Sequence, residues 1–224
     1  MTQTVLITGS NRGIGFELCR QLAESGKHVI ATCRQSSPEL RALDVEVIDD
    51  VEVSNFKSLE KLAEKLGERK IDWLINNAGI AGGVGLSSID ESAIDAFVDM
   101  YKVNSLGPLL VTQALLNNLQ EGSKVGIITS RMGSIDDNDS GGSYAYRMSK
   151  SAVNAAGKSL SIDLKPRGIA VALLHPGWVR TDMTGYGGLI DPDESASGLI
   201  RRMEQLTMSS TGTFWHTNGQ KLPW

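Results

Sequence analysis

Cysteine is scarce in this chain: only Cys19 and Cys33 occur. They stand in no metal-type spacing and lie inside apolar periodic segments, which makes them small core residues and not disulfide partners. The three histidines, His28, His175 and His216, are scattered with no thiols or carboxylates clustered around them, so no metal site is assigned. Basic excess is missing as well. Lys and Arg number 22 against 26 Asp and Glu, a net charge of −4, and no basic stripe gathers the cations that a phosphate backbone needs, which excludes nucleic acid as the main partner. No apolar run approaches the length of a bilayer span, and the opening "MTQTVLITGS" has neither a basic n-region nor a small-residue cleavage site. A cytoplasmic protein with no membrane partner is expected. The chain also lacks a Pro/Gly/Ser-rich linker and any fixed-period repeat, which favours a single domain over residues 1–224.

What the chain does hold is enough apolar material, 41% of its residues, to bury a core. Apolar runs of strand length at 4–9, 28–33, 45–48, 72–77, 124–130, 169–175 and 212–216 alternate with segments of helical period at 13–25, 54–66, 90–119, 145–164 and 192–206. That alternation builds βαβ units. The expected fold is therefore α/β, a doubly wound parallel sheet of seven strands with helices on both faces, and the longest helical segment should break near Asn104. In open sheets of this kind ligands sit beyond the carboxyl ends of the strands, so the residues just past each apolar run are where function is to be sought.

Past the first run comes "TGSNRGIG", residues 8–15, opening a helix. Gly9 permits the tight turn, Gly13 lets the backbone approach a diphosphate, and Gly15 allows close helix packing, while the helix N-terminus offers free N–H groups and positive potential. The second run ends "ATCRQSS", with Arg34 where an NAD-preferring fold usually carries an acidic residue for the ribose hydroxyls. A second guanidinium, Arg12, stands inside the glycine loop. Two arginines near one ribose suit a 2′-phosphate, which they grip in bidentate fashion, so NADP(H) is the expected cofactor.

A second group of residues bears on proton transfer. In "YAYRMSK", residues 144–150, Lys150 follows Tyr146 by one helical turn, whereas Tyr144 pairs by spacing with Met148. A free phenol has a pKa of about 10, and a neighbouring ammonium is expected to lower it, giving a group able to exchange a proton with a carbonyl oxygen. Ser130, at the end of the fifth run in "IITSRMGS", can donate to the same oxygen. Ser134 competes for that part, but it lies beyond the strand end, and the switch-point argument favours Ser130.

Taken in order, "TGSNRGIG", "NNAG" (76–79), Asn104 in "KVNSLGP", Ser130, "YRMSK" (146–150) and "HPGWVRTDM" (175–183) resemble the short-chain dehydrogenase/reductase family over nearly the whole chain. "SRMGSI", "YAYRMSKSAVNAAGKSLSIDL" and "GTFWHTNGQKLPW" are most similar to the small C-factor and Sniffer-type carbonyl reductases. The resemblance implies a Rossmann-type sheet and a tetrad. Tyr146 would be the acid/base, Lys150 would also hold the nicotinamide ribose, Ser130 would orient the carbonyl, and Asn104 would kink its helix and hold a water for proton relay. It further implies cofactor contacts from Gly9, Ser10, Asn11, Arg12, Gly13, Ile14 and Gly15. Asn77, Ala78 and Gly79 would lie along the adenosine, Asp50 and Val51 would meet the adenine, Val179 and Thr181 would hold the nicotinamide carboxamide or the diphosphate, and Pro176 and Gly177 would also bind the cofactor.

The stretch "DDNDSGG" (136–142) lengthens the gap between Ser130 and Tyr146 and reads as a solvated loop. Little chain separates Met183 from the helix at 192, so an open pocket is expected, lined by Arg131, Met132 and Trp178. The reading is an NADPH-dependent carbonyl reductase. Two alternatives remain open: a signalling or sensor protein that binds NADP(H) with little turnover, and a pteridine or quinone reductase. A homo-oligomer, dimer or tetramer, is expected through helices near 105–119 and 145–164.

Overall fold

The computed structural model describes residues 2–224. Five short apolar stretches become the centre of a seven-stranded parallel sheet, because a strand covered by helices on both faces has to be apolar nearly throughout. In β1 (Thr4–Thr8), Val5, Leu6 and Ile7 are fully buried. After it follow α1 (Gly13–Glu24), β2 (His28–Thr32), the one-turn α2 (Pro38–Arg41), β3 (Glu46–Ile48), α3 (Phe56–Leu66) and β4 (Ile71–Asn76). The second half runs α4 (Ile94–Met100), α5 (Gly107–Ala114), β5 (Leu119–Ile128), α6 (Tyr144–Asp163), β6 (Ala170–His175), α7 (Pro192–Gln205) and β7 (Thr213–His216).

The strand order is β3-β2-β1-β4-β5-β6-β7. Between β1 and β4 the winding reverses, which opens a crevice at the carboxyl ends of those strands. One face of the sheet packs on α1 and α7, with Leu18, Leu22, Leu199 and Met203 against Ile7, Trp73 and Leu174. The other packs on α3, α5 and α6, with Leu59, Leu62, Val111 and Val153 against Leu6, Leu74 and Ile127. Cys19 and Cys33 are free thiols buried in the first of these cores, as expected, and burial pushes each up to about 12.

Three differences from the sequence reading have local causes. The segment expected as one helix over 90–119 is helical over 94–114 and carries a single π-type turn at Tyr101–Leu106, with Asn104 at its centre. Its end is displaced because β5 begins at Leu119: Gly122, in the left-handed region at φ 87°, and Ser123, whose hydroxyl donates to Ile71 O at 2.7 Å, let the chain bulge and rejoin β4 in a new register. The short α2 was not anticipated. Ser37 caps it by accepting from the Leu40 amide at 3.2 Å, with Pro38 in the first turn.

Candidate active site

At the carboxyl edge of the sheet, Thr8 and the "NNAG" stretch hold the glycine loop from below. Thr8 Oγ1 accepts from the Asn77 and Ala78 amides, both at 3.1 Å, while Asn77 Nδ2 donates to Thr8 O and Gly9 O. Asn77 is thus a brace under the turn. Ala78 is its floor: a Cβ on Gly9, which sits at φ 69°, would come within 2.8 Å of Ala78 Cα. Gly15 closes the turn from the helix side, since a Cβ there would meet Gly9 O at 2.2 Å. Ser10 departs from its expected part. It is fully buried, its hydroxyl donates to Ile7 O and its amide to Thr32 O, so it points into the fold and away from the crevice.

Above this cradle α1 begins at Gly13 with no side-chain cap and no acidic residue in its first turn. Its free N–H groups face the crevice beside Asn11 and Ile14, a donor set suited to a diphosphate. Arg34 stands exposed beyond β2 and makes no ion pair among the described residues. Asp50, in the left-handed region at φ 61°, donates its amide to Arg34 O, and the buried Val51 donates to Cys33 O, which sets the ends of β2 and β3 side by side. Arg12 differs from expectation: its guanidinium reaches across the crevice mouth to Asp182, at 3.3 Å. The residues present fit a dinucleotide phosphate at this edge.

On the far side of the switch point the expected chemical residues come together. Ser130 lies two residues past β5 and accepts the Met132 amide at 3.1 Å, capping a 3-10 turn at Arg131–Gly133. Tyr146 and Lys150 lie one turn apart on α6, with Lys150 Nζ 5.8 Å from the centre of the Tyr146 ring. The tuning expected from sequence runs the other way. Burial pushes the Tyr146 phenol above its ordinary value, opposed by a hydrogen bond with Ser130, while burial pulls Lys150 down to about 8. The ammonium donates to Ile128 O at 3.1 Å, and dehydration is the leading cause of the shift in both groups.

Asn104 carries more structure than its expected role required. Its Oδ1 accepts from the Ile80 amide and its Nδ2 donates to Ile80 O, both at 2.8 Å, and Nδ2 also donates to Ser149 Oγ at 3.0 Å. Ser105 then donates to Ser149 O at 2.7 Å. The π turn, the loop after β4 and α6 are thereby pinned together by buried hydrogen bonds, each worth about 1 kcal/mol. Gly79 leaves space beside both Asn104 Oδ1 and Lys150 Nζ, which lie 3.2 and 3.7 Å from where its Cβ would be.

Ser134 is assigned a different task. Its hydroxyl, with the amides of Ile135 and Asp136, donates to the carbonyl oxygen of Trp224, at 2.9, 2.9 and 3.0 Å. The Trp224 ring packs on Phe214 at 5.8 Å, and Leu222 is buried against Phe214 and Leu173. The last residues therefore fasten the loop that follows Ser130.

Between these parts lies a cavity of about 630 Å³. Ser130, Arg131, Met132, Tyr146 and Trp178 are among its lining residues, the last 55% exposed. Pro176 O accepts from Ser195 Oγ at 2.7 Å, Gly177 at φ 88° turns the chain beneath Ile190, and the buried Val179 O accepts from Thr184 Oγ1 at 2.6 Å. Thr181 faces the glycine loop, its Cγ2 3.4 Å from where a Cβ on Gly13 would be. The "DDNDSGG" stretch is largely exposed, but Asp137, ion-paired with Arg131, and Ser140, which accepts from Arg147 at 2.8 Å, form one wall of the cavity. His175 also borders it and was missed. The sequence marks it only as a polar residue ending an apolar run, just before the "PG".

Fold and site together define a dehydrogenase of the short-chain class, and the short chain dehydrogenase family model matches residues 3–187, so the chain belongs to that family. Among curated relatives, the 1-hydroxy-2-glutathionyl-2-methyl-3-butene dehydrogenase of Rhodococcus sp. (strain AD45) is 40% identical over 227 residues, covering 99% of both chains. The C-signal protein of Myxococcus xanthus is 43% identical over 160 residues, 69% of this chain and 93% of the relative. Among solved structures, the carbonyl reductase Sniffer of D. melanogaster superposes with a TM-score of 0.91 at 30% identity over the full length of both chains. The NADPH-bound carbonyl reductase from chicken fatty liver gives 0.89 at 29%, over 100% of this chain and 99% of that one.

Proposed function

We propose that this protein is an NADPH-dependent carbonyl reductase, passing hydride to an aldehyde or ketone and, in reverse, oxidising a secondary alcohol. The observation that carries the reading is the meeting of Ser130 and Tyr146 in one cavity, with the buried Lys150 one helical turn from Tyr146, beside an uncapped helix N-terminus on a glycine cradle. Arg34, with Arg12 once released from Asp182, would hold the 2′-phosphate, and Gly9, Gly13 and Gly15 would admit the diphosphate. NADPH, when bound, supplies the hydride. The substrate oxygen accepts from Ser130 Oγ and Tyr146 Oη, and Tyr146 gives up its proton as negative charge develops there. Burial keeps that phenol protonated at neutral pH, as a donor for reduction must be. Lys150, close by, would hold the nicotinamide ribose. Any relay water at Asn104 would rest on the main-chain carbonyl, because both amide N–H groups are committed.

The test is loss of reduced-nicotinamide absorbance with NADPH and a panel of aldehydes, ketones, diones and quinones, repeated with NADH and with Tyr146→Phe. Turnover with NADPH, poorer turnover with NADH, and a fall of about 10²–10⁴-fold in Tyr146→Phe at unchanged NADPH affinity are expected. A mutant retaining most activity would sink the assignment. The second reading, a dinucleotide-binding signalling protein, draws on the likeness to the Myxococcus xanthus C-signal. Tight NADPH binding with no turnover across the panel would favour it.

A further inference from the structure

His175 takes no part in the mechanism above, yet it borders the cavity with Ser130, Arg131, Asp137 and Tyr146. It ends β6, and the Thr129 amide of the neighbouring strand donates to Leu174 O at 2.9 Å. Carried one residue past Ile128↔Leu174, the register sets Thr129 beside His175 at the strand spacing of about 5 Å, with Ser130 the next residue along the same edge. On its other flank, β7 sets His216 in register with His175, and the two rings meet edge to face with centres 4.9 Å apart. His216 Nδ1 accepts from the Asn218 amide at 3.0 Å, which fixes that ring.

The two nitrogens of His175 have different surroundings. Nδ1 is sealed from solvent and has no hydrogen-bond partner among the described residues, so Nε2 is the nitrogen left to the cavity. A buried N–H without an acceptor is rarer in folded proteins than a buried lone pair without a donor, which assigns the proton to Nε2. Burial, His216, Arg131 and Lys150 all disfavour the cation and Asp137 favours it, with the balance holding the ring down to about 3. The imidazole is neutral throughout the working range.

We propose that His175 is a specificity-determining residue that presents its Nε2–H to the cavity it shares with Ser130 and Tyr146, selecting carbonyl compounds with a second hydrogen-bond acceptor near the reacting carbonyl. α-Diketones and α-keto esters are such compounds. The inference rests on the reductase reading and deepens it. A substrate lacking the second oxygen leaves the donor unpaired in the closed complex, and discrimination built on an unpaired site group exceeds what apolar contact alone supplies.

The experiment compares kcat/KM for 2,3-hexanedione with that for 2-hexanone and 3-hexanone in the wild type, His175→Phe and His175→Gln. Comparing ratios between proteins cancels the greater intrinsic reactivity of the dione. NADPH affinity and melting temperature are measured alongside, and the His175 ¹⁵N resonances are recorded with and without the dione. The expected result is a dione preference reduced about tenfold in His175→Phe and partly restored in His175→Gln, with NADPH affinity unchanged. The resonances should report the Nε2–H tautomer and move on addition of the dione. An unchanged ratio in a folded His175→Phe, or an Nδ1–H tautomer, overturns the assignment and leaves the reductase intact. A dione that moves the Nε2 resonance of the wild type but is not reduced overturns the reductase reading and supports the donor.

Discussion

Tyr146 and Lys150 have been displaced by burial in opposite directions, the phenol up and the ammonium down to about 8, and the pH behaviour of the protein follows from that pair. Reduction needs the phenol protonated, a condition met well past neutrality. Lys150 is the group that changes first, so kcat/KM for reduction should be flat on the acid side of pH 8 and fall above it as the lysine loses its charge. Stability moves the other way. The pKa of Lys150 is about 10.4 in the unfolded chain, so between about pH 8 and 10.4 the unfolded state binds more protons, and this group's contribution to stability rises with pH across that window. Activity and melting temperature recorded on the same samples should therefore diverge above pH 8. A reductase still at full rate at pH 10 would show that the charge of Lys150 is not required.

The elements that carry chemistry touch one another with almost no spare volume, which explains both the precision of the site and the limits of reading it from sequence. The turn at Arg131–Gly133 lies directly on α6, and a Cβ on Gly133 would come within 2.6 Å of the Lys150 backbone. Gly133 O also accepts from Ser151 Oγ and Asn154 Nδ2, at 3.0 and 3.2 Å. Gly133→Ala should lift the turn, and Ser130 with it, off the helix. We expect kcat to fall by at least tenfold while NADPH affinity stays within about twofold, since a shift of about 1 Å at a reacting group costs roughly 10²-fold; equal activity would mean that the turn can yield without moving Ser130. Apolar period and strand-end position made the seven strands and the places of Ser130 and Tyr146 legible in the sequence. What stayed hidden was set by tertiary contact: the buried hydroxyl of Ser10, the bracing by Asn77, the π turn around Asn104, and the neutral ring of His175. None of these leaves a periodic trace, because each depends on what lies across the sheet edge.

Across the sheet, labour is divided by side. The β1–β3 half carries the glycine cradle, Arg34, Asp50 and Val51, and the β5–β7 half carries Ser130, the post-β6 loop and the closing strand. Arg12 and Asp182 join the halves across the mouth. The β5–β7 half depends on residues far apart in sequence, for the wall at 134–137 is fastened to Trp224, which is itself held by Phe214. Trp224→Gly should loosen that wall and raise KM for the carbonyl about fivefold, the effect of roughly 1 kcal/mol, without changing NADPH affinity. Equal KM would detach the tail from the pocket.

The Trp224 fastening also sets an order of events during synthesis. Its donors at 134–136 are made some 90 residues before their acceptor, whereas the glycine loop, Thr8 and Asn77 are complete once residue 77 has been made. A nascent chain can thus shape its phosphate cradle early, while the wall of its substrate cavity waits for residue 224 to clear the ribosome. Ribosome-bound chains halted short of that residue would hold the dinucleotide end of the site and leave the carbonyl end unfinished.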